Sequence, residues 1–168
     1  GPSRFGRFGV STNWTFVRTF VEDLPSATSA SGFTTVNELG YLANEAPRIR
    51  GSMNLLWSLA DFSAVWNITY IGKVFENCSA LTIQLNECTQ PNTIYPPTAS
   101  VGIHELNRTI YNDAAFTYKI QPLRASVTFG VQNVFNQQFP LSYTAGAPPN
   151  FNGQMGYRIP GRFLYGRI

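Results

Sequence analysis

The chain has 168 residues, of which 43% are hydrophobic and only 12% are charged, whereas about a quarter of the residues of an average soluble domain are charged. Its formal net charge of +3 comes from arginines spread along the chain, which argues against the basic patch of a nucleic-acid-binding surface. No apolar run approaches the roughly 20 residues that a membrane-spanning helix needs, so a helical membrane protein is excluded.

Extended segments in which apolar and polar residues alternate follow one another along the chain. Alternation with a period of two indicates a β-strand with one apolar and one polar face. We predict six such strands, at residues 5–20, 48–58, 62–72, 107–120, 124–136 and 157–168.

The third segment shows the alternation most clearly. Its apolar side consists of Phe62, Ala64, Trp66, Ile68 and Tyr70, and its polar side of Ser63, Asn67 and Thr69. The fifth segment repeats the pattern, with Val127, Phe129, Val131 and Phe135 against Ser126, Thr128, Gln132 and Asn136. One face suits lipid and the other suits water, as in the wall of a membrane β-barrel.

The connections between the predicted strands alternate in length. Residues 59–61 and 121–123 are tight turns, whereas residues 21–47, 73–106 and 137–156 are long and rich in polar residues, Gly and Pro. Short turns at one rim and long loops at the other are typical of outer-membrane barrels. Within the second long loop Leu81, Ile83 and Leu85 alternate, which predicts either a short hairpin above the membrane or a disordered stretch.

The cysteines, Cys78 and Cys88, both lie in this loop. A pair so close in sequence, with no cluster of further Cys or His beside it, predicts a local disulfide and an oxidising compartment.

Catalytic groups are sparse. The single histidine, His104, has only Glu105 beside it, which is too few ligands for a metal site. The nine carboxylates show no catalytic spacing. We therefore expect neither an enzyme nor a protein with a cofactor.

Three segments resemble TonB-dependent outer-membrane receptors. Residues 131–136 (VQNVFN) are similar to the V-x-N-[LV]-F-[DN] segment of the family's penultimate strand, and residues 160–165 (PGRFLY) to the opening of its last strand. Residues 46–74 resemble a descending strand, a tight turn and an ascending strand of the family. The matching positions there are Pro47, Arg48, Arg50, Trp57, Phe62, Ser63, Tyr70 and Gly72.

This resemblance implies an all-β fold, an antiparallel transmembrane β-barrel of about 22 strands closed around a plug. Residues 1–168 would supply its last six strands, without the plug and stopping at Ile168 short of the usual terminal aromatic. The implied location is the bacterial outer membrane, and the implied function is the energised uptake of a scarce ligand such as a siderophore, cobalamin or an oligosaccharide. The implied partners are outer-membrane lipid, the rest of the receptor with its plug, the TonB complex acting through that plug, and the imported ligand, but no nucleic acid.

Polar residues on the predicted lumen side are the candidate site. They either line a ligand path or only hydrate the inner wall. These candidates are Arg48, Arg50, Asn54, Asn67, Asp113 and Gln132. Because Arg48 and Arg50 lie near the outer rim, they would favour an anionic ligand.

Two other readings remain open. One is a passive porin-like or small eight-stranded barrel, in which residues 81–85 and 93–101 supply the missing strands. The other is a soluble secreted β-sandwich used for adhesion.

Overall fold

The computed structural model describes residues 4–25, 28–37, 39–42, 47–95, 100–144, 156–158 and 161–168. The fold is all-β, with antiparallel sheets and very little helix, as predicted. The strands are β1 Arg7–Phe16, β2 Val21–Pro25, β3 Phe33–Asn37, β4 Ile49–Leu59, β5 Phe62–Ile71, β6 Val74–Asn77, β7 Gln90–Tyr95, β8 Ser100–Leu106, β9 Thr109–Ile120, β10 Ala125–Gln132 and β11 Phe163–Arg167.

A six-stranded sheet, called the wall below, has the order β1-β4-β5-β9-β10-β11. Every neighbouring pair is antiparallel. The strands that belong to the wall therefore follow one another in chain order, up and down. Each corresponds to one of the six predicted strands, so this part of the prediction is confirmed.

The register of the wall places the predicted apolar and polar sets on opposite faces. Trp66, for example, pairs with Leu55 on one side and with Ala114 on the other, and directly opposed residues share a face. The next row, one residue along, consists of Asn54, Asn67 and Asp113. We call the two sides the apolar face and the polar face.

The last two strands are shorter than predicted, as is β1, which covers Arg7–Phe16 of the predicted 5–20. The strand predicted at 124–136 ends at Gln132, because Asn133 adopts a left-handed backbone with φ 52° and turns the chain. The strand predicted at 157–168 begins only at Phe163. Near the predicted start, Arg158 is hydrogen-bonded to side chains of β9 and does not take part in backbone pairing of the wall.

Two short connections form one rim of the wall, the short-turn rim. Ala60 takes a positive φ of 51° in the turn between β4 and β5, and residues Gln121–Leu123 form a 3-10 helical turn between β9 and β10. Gln121 Nε2 donates a hydrogen bond of 2.7 Å to Asp61 Oδ1, which joins the two turns.

The opposite rim, the long-loop rim, carries two further sheets. β2 pairs with β3, and β6, β8 and β7 form a three-stranded sheet. The predicted hairpin around residues 81–85 is wrong, because Ala80–Gln84 form a short helix, α1. Ser79 starts this helix, since its Oγ accepts the Thr82 N–H at 3.2 Å as an N-cap residue does.

The small buried core lies where the long loops meet the wall. Its members are Leu42, Ile71, Val74, Leu106, Tyr111 and Tyr157, with Phe139 packed against them. By contrast, the apolar face is open: Phe8 is 72% exposed, Phe16 70% and Phe129 56%. No other described element covers this face.

The wall is an open sheet within the described ranges, with β1 and β11 at its edges. No closed barrel is formed by these residues. No described helix is long and apolar enough to cross a membrane.

Candidate functional site: the polar face and the long-loop rim

Five of the six predicted lumen residues lie in strands of the wall, and the sixth, Arg48, lies just outside it. Arg50, Asn54, Asn67 and Asp113 lie at wall positions of the polar face, with Asn54, Asn67 and Asp113 adjacent in one row. Gln132 ends β10, where it pairs with Phe163 of β11. Arg48 is different and is treated next.

Arg48 lies just before β4, and its carbonyl accepts the Val17 N–H at 2.9 Å. The pocket that Arg48 lines also contains Ile49 and Tyr70, which belong to the apolar face. Arg48 therefore lines a pocket together with residues of the apolar face, whereas Arg50 lies at a wall position of the polar face.

Asp113 on the polar face is held by three hydrogen bonds to described residues. Its carboxylate accepts two hydrogen bonds from Arg158 Nη1, at 2.7 and 2.8 Å, and one from the Asn133 N–H at 2.8 Å. The Arg158 guanidinium also lies 5.1 Å from the centre of the Tyr111 ring. Asp113 thus anchors the segment before β11 and is not a free carboxylate for a ligand.

Tyr157 and Gly156 bring the same segment against Arg50. A Cβ on Gly156 would lie 2.5 Å from Arg50 Nη2, which shows how close this segment comes to the Arg50 side chain. Tyr157 is buried, and this burial, reinforced by the nearby Tyr111 and opposed by Arg50, raises the pKa of its phenol to about 12. The phenol stays protonated at neutral pH.

Residues 133–137 and Arg162 meet at the end of β10. Asn133 is buried and holds the turn, since its Nδ2 donates to the Gln137 carbonyl at 2.9 Å and its Oδ1 accepts the Gln137 N–H at 2.8 Å. Asn136, with φ 54°, accepts the Arg162 N–H at 3.0 Å. Asn133 and Asn136 therefore position the turn after β10 and the backbone that leads into β11.

A buried carboxylate joins two of the long loops. Glu76 on β6 is 1% exposed and accepts hydrogen bonds from Ser142 Oγ at 2.6 Å and the Tyr143 N–H at 2.8 Å. The N–H and hydroxyl of Thr144 bind the same carboxylate. Sequence reasoning missed Glu76, because nothing in its local pattern distinguishes it from an exposed loop carboxylate.

The predicted disulfide is present: Cys78 and Cys88 are bonded, with 5.7 Å between their Cα atoms. Gly102 on β8 lies directly against it, with φ 98° and an added Cβ that would come 2.9 Å from Cys88 Sγ. A side chain there would meet both unfavourable backbone geometry and the bridge.

A pocket of about 370 Å³ separates the second and third long loops. His104, Glu87 and Tyr143 line it together with Gln137. His104 Nδ1 lies 2.6 Å from the Glu87 carbonyl, and its ring meets that of Tyr143 edge-on at 5.3 Å. In the described part of the chain no three His, Cys, Asp or Glu side chains are grouped to hold a metal ion.

Comparisons with protein-family models, with curated proteins and with solved structures each found no match to this chain.

Proposed function

We propose that this chain is the carboxy-terminal part of the barrel wall of a TonB-dependent outer-membrane receptor, which takes up a scarce ligand with energy from the inner membrane. The observation that carries the proposal is the wall itself: an antiparallel up-and-down sheet with one exposed apolar face, one polar face, short turns at one rim and folded long loops at the other. The choice of this receptor family rests on the sequence motifs that resemble it.

The dimensions of the wall suit a bilayer. Its four longest strands have 10 to 12 residues, or about 33 to 40 Å at about 3.3 Å per residue. Tilted by about 45°, they span about 23 to 28 Å, close to the roughly 25 Å apolar band of outer-membrane barrels.

The exposed apolar face favours a sheet in contact with lipid over a sheet packed in a β-sandwich. In a β-sandwich the apolar face of each sheet packs against the other sheet, whereas here Phe8 and Phe129 remain mostly exposed and no described element covers them. A hydrocarbon environment would remove this apolar surface from water at a gain of about 25 cal/mol per Å².

The open edges favour a barrel larger than this chain. In lipid, each unpaired backbone N–H or C=O costs several kcal/mol, so β1 and β11 each require a neighbouring strand. The eight-stranded alternative draws its extra strands from residues 81–85 and 93–101. Residues 80–84 are helical and β7 and β8 pair outside the wall, so this alternative loses its support.

In this proposal the polar face lines the lumen, where Asn54 and Asn67 present polar groups to water, plug or ligand. The loop pocket at His104 and Tyr143 lies on the ligand's approach. The ligand class is a siderophore, cobalamin or an oligosaccharide, whose recognition also involves the plug.

The test is made on the native polypeptide from detergent-solubilised outer membranes. Its intact mass is measured, and peptides on both sides of the present residues are sequenced. We expect a chain several times longer with an amino-terminal plug, and uptake that stops when TonB is deleted. A membrane protein whose uptake survives that deletion would be a passive porin, and a protein recovered without detergent would contradict the membrane assignment.

A further inference from the structure

A second pocket, of about 540 Å³, lies at the long-loop rim on the apolar side of the wall. Ile49 and Tyr70 of the apolar face line its lower part, and the residues that follow β5 and precede β9 line its upper part. The Gly72 N–H donates to the Ile49 carbonyl at 2.9 Å, which closes the sheet beneath the pocket.

Three cations surround this pocket: Arg48, Lys73 and Arg108. Lys73 Nζ binds Glu105 Oε2 at 2.9 Å but is still 68% exposed. Neither Arg48 nor Arg108 forms an ion pair with any residue that the structure describes, and both are exposed. Three cations against one carboxylate leave a local excess of positive charge.

Aromatic rings of the apolar face adjoin the pocket, since Tyr70 lines it. The Trp14 ring is 5.8 Å from that of Tyr70 and 6.5 Å from that of Phe16. Gly51 makes room for the indole, because a Cβ there would come within 2.4 Å of it. Trp and Tyr at this height are typical of the membrane–water interface.

Cations, aromatic rings and apolar side chains therefore follow one another from the rim toward the middle of the wall, in the order of the layers of a charged lipid leaflet. Guanidinium groups bind phosphate oxygens through paired hydrogen bonds. A free anion would need no apolar floor, whereas a lipid phosphate brings acyl chains that fit one.

We infer that the pocket formed by Arg48, Lys73 and Arg108 binds the phosphate group of an anionic membrane lipid, whose acyl chains lie along the apolar face below. This inference rests on the proposed placement of that face in a bilayer. Of the two arginines predicted to favour an anionic ligand, Arg48 then binds lipid and Arg50 alone stays on the lumen side.

The test uses the full-length protein purified in a neutral detergent and titrated with bisphosphorylated lipid A. We expect the triple variant R48Q/K73Q/R108Q to bind lipid A about 100-fold more weakly, since each cation beside an anionic lipid contributes about fivefold. Arg162→Gln is the matched control, an exposed rim arginine three strands away from β5, and should change the affinity less than twofold.

Two further titrations identify the source of the phosphate. Dephosphorylated lipid A should bind like the triple variant, and millimolar inorganic phosphate should not displace lipid A. Inorganic phosphate that binds as tightly as lipid A would overturn the lipid assignment, as would unchanged affinity in the triple variant.

Single variants keep the test valid if the triple variant does not fold. Arg108→Gln alone should weaken lipid A binding about fivefold, and Arg108→Lys should restore most of it. A protein that proves membrane-embedded but binds lipid A equally well in every variant overturns only this inference, whereas a protein soluble without detergent overturns the proposed function.

Discussion

At the scale of single residues, the most consequential groups are buried ones that join segments far apart in sequence. Asp113 holds Arg158, and Glu76 holds the loop at residues 142–144. Each pairs a buried or half-buried acceptor with several donors, so removing the acceptor leaves those donors unsatisfied.

We expect Glu76→Gln to release the third long loop. The amide keeps the shape but turns one acceptor into a donor that faces Ser142, Tyr143 and Thr144, at a cost of about 1 to 3 kcal/mol. Hydrogen exchange of the Tyr143 and Thr144 amides should accelerate by about 10- to 100-fold in the variant. The control Glu22→Gln, on an exposed position of β2, should leave that exchange unchanged.

The raised pKa of Tyr157 predicts that the docking of residues 156–158 depends on pH. Its pKa is about 12 in the folded protein and about 10 when exposed, so the folded state holds the proton more tightly. The docking of residues 156–158 is therefore constant below about pH 10 and weakens between about pH 10 and 12, by about 3 kcal/mol in total. Its phenol makes no hydrogen bond within the described residues, so Tyr157→Phe should cost little at neutral pH.

The measurement is exchange of the 156–158 amides as a function of pH. In the wild type it should rise above its ordinary base-catalysed trend beyond pH 10, and in Tyr157→Phe this rise should be smaller. An identical curve for both proteins would show that the phenol does not ionise on undocking.

At the scale of elements, side chains on neighbouring strands of the wall pack against each other across the strand pair. Gly130 on β10 is covered by Tyr165 of β11, and a Cβ there would come 2.2 Å from the ring. Gly166 on β11 has only Thr128 O, at 4.0 Å, near an added Cβ. The two glycines therefore have opposite tolerance for a side chain.

We expect Gly130→Ala to weaken the pairing of β10 with β11 by about 1 to 3 kcal/mol, because the ring must leave its position. Gly166→Ala should be within about 0.5 kcal/mol of wild type. Thermal unfolding of the full-length protein in detergent measures both. Equal midpoints for the two variants would contradict the packing described.

At the scale of the whole molecule, the question is what covers the apolar face. Phe129 lies on it and is 56% exposed, and Thr128, one residue earlier, belongs to the polar face. A charge at an exposed site is nearly neutral in water, whereas a charge on the lipid face of a barrel costs about 2 to 4 kcal/mol at the midplane.

Phe129→Arg should therefore lower the folding stability in lipid vesicles by about 2 to 4 kcal/mol, while Thr128→Arg should have a much smaller effect. Denaturant unfolding of the full-length protein in vesicles measures the difference. If both arginine variants were equally stable, the face would not contact lipid, and the receptor proposal would lose its central support.

Strands, faces and loop lengths were accessible from the amino-acid sequence alone, because an alternation of period two is local information that each segment carries within itself. The same holds for the disulfide, whose cysteines are ten residues apart. Contacts between distant segments were not accessible: the helix at Ala80–Gln84, the Glu76 and Arg158 anchors, and the pocket that gathers Arg48, Lys73 and Arg108. Those depend on strand register and on how the long loops dock, and only the tertiary structure decides which side chains then meet.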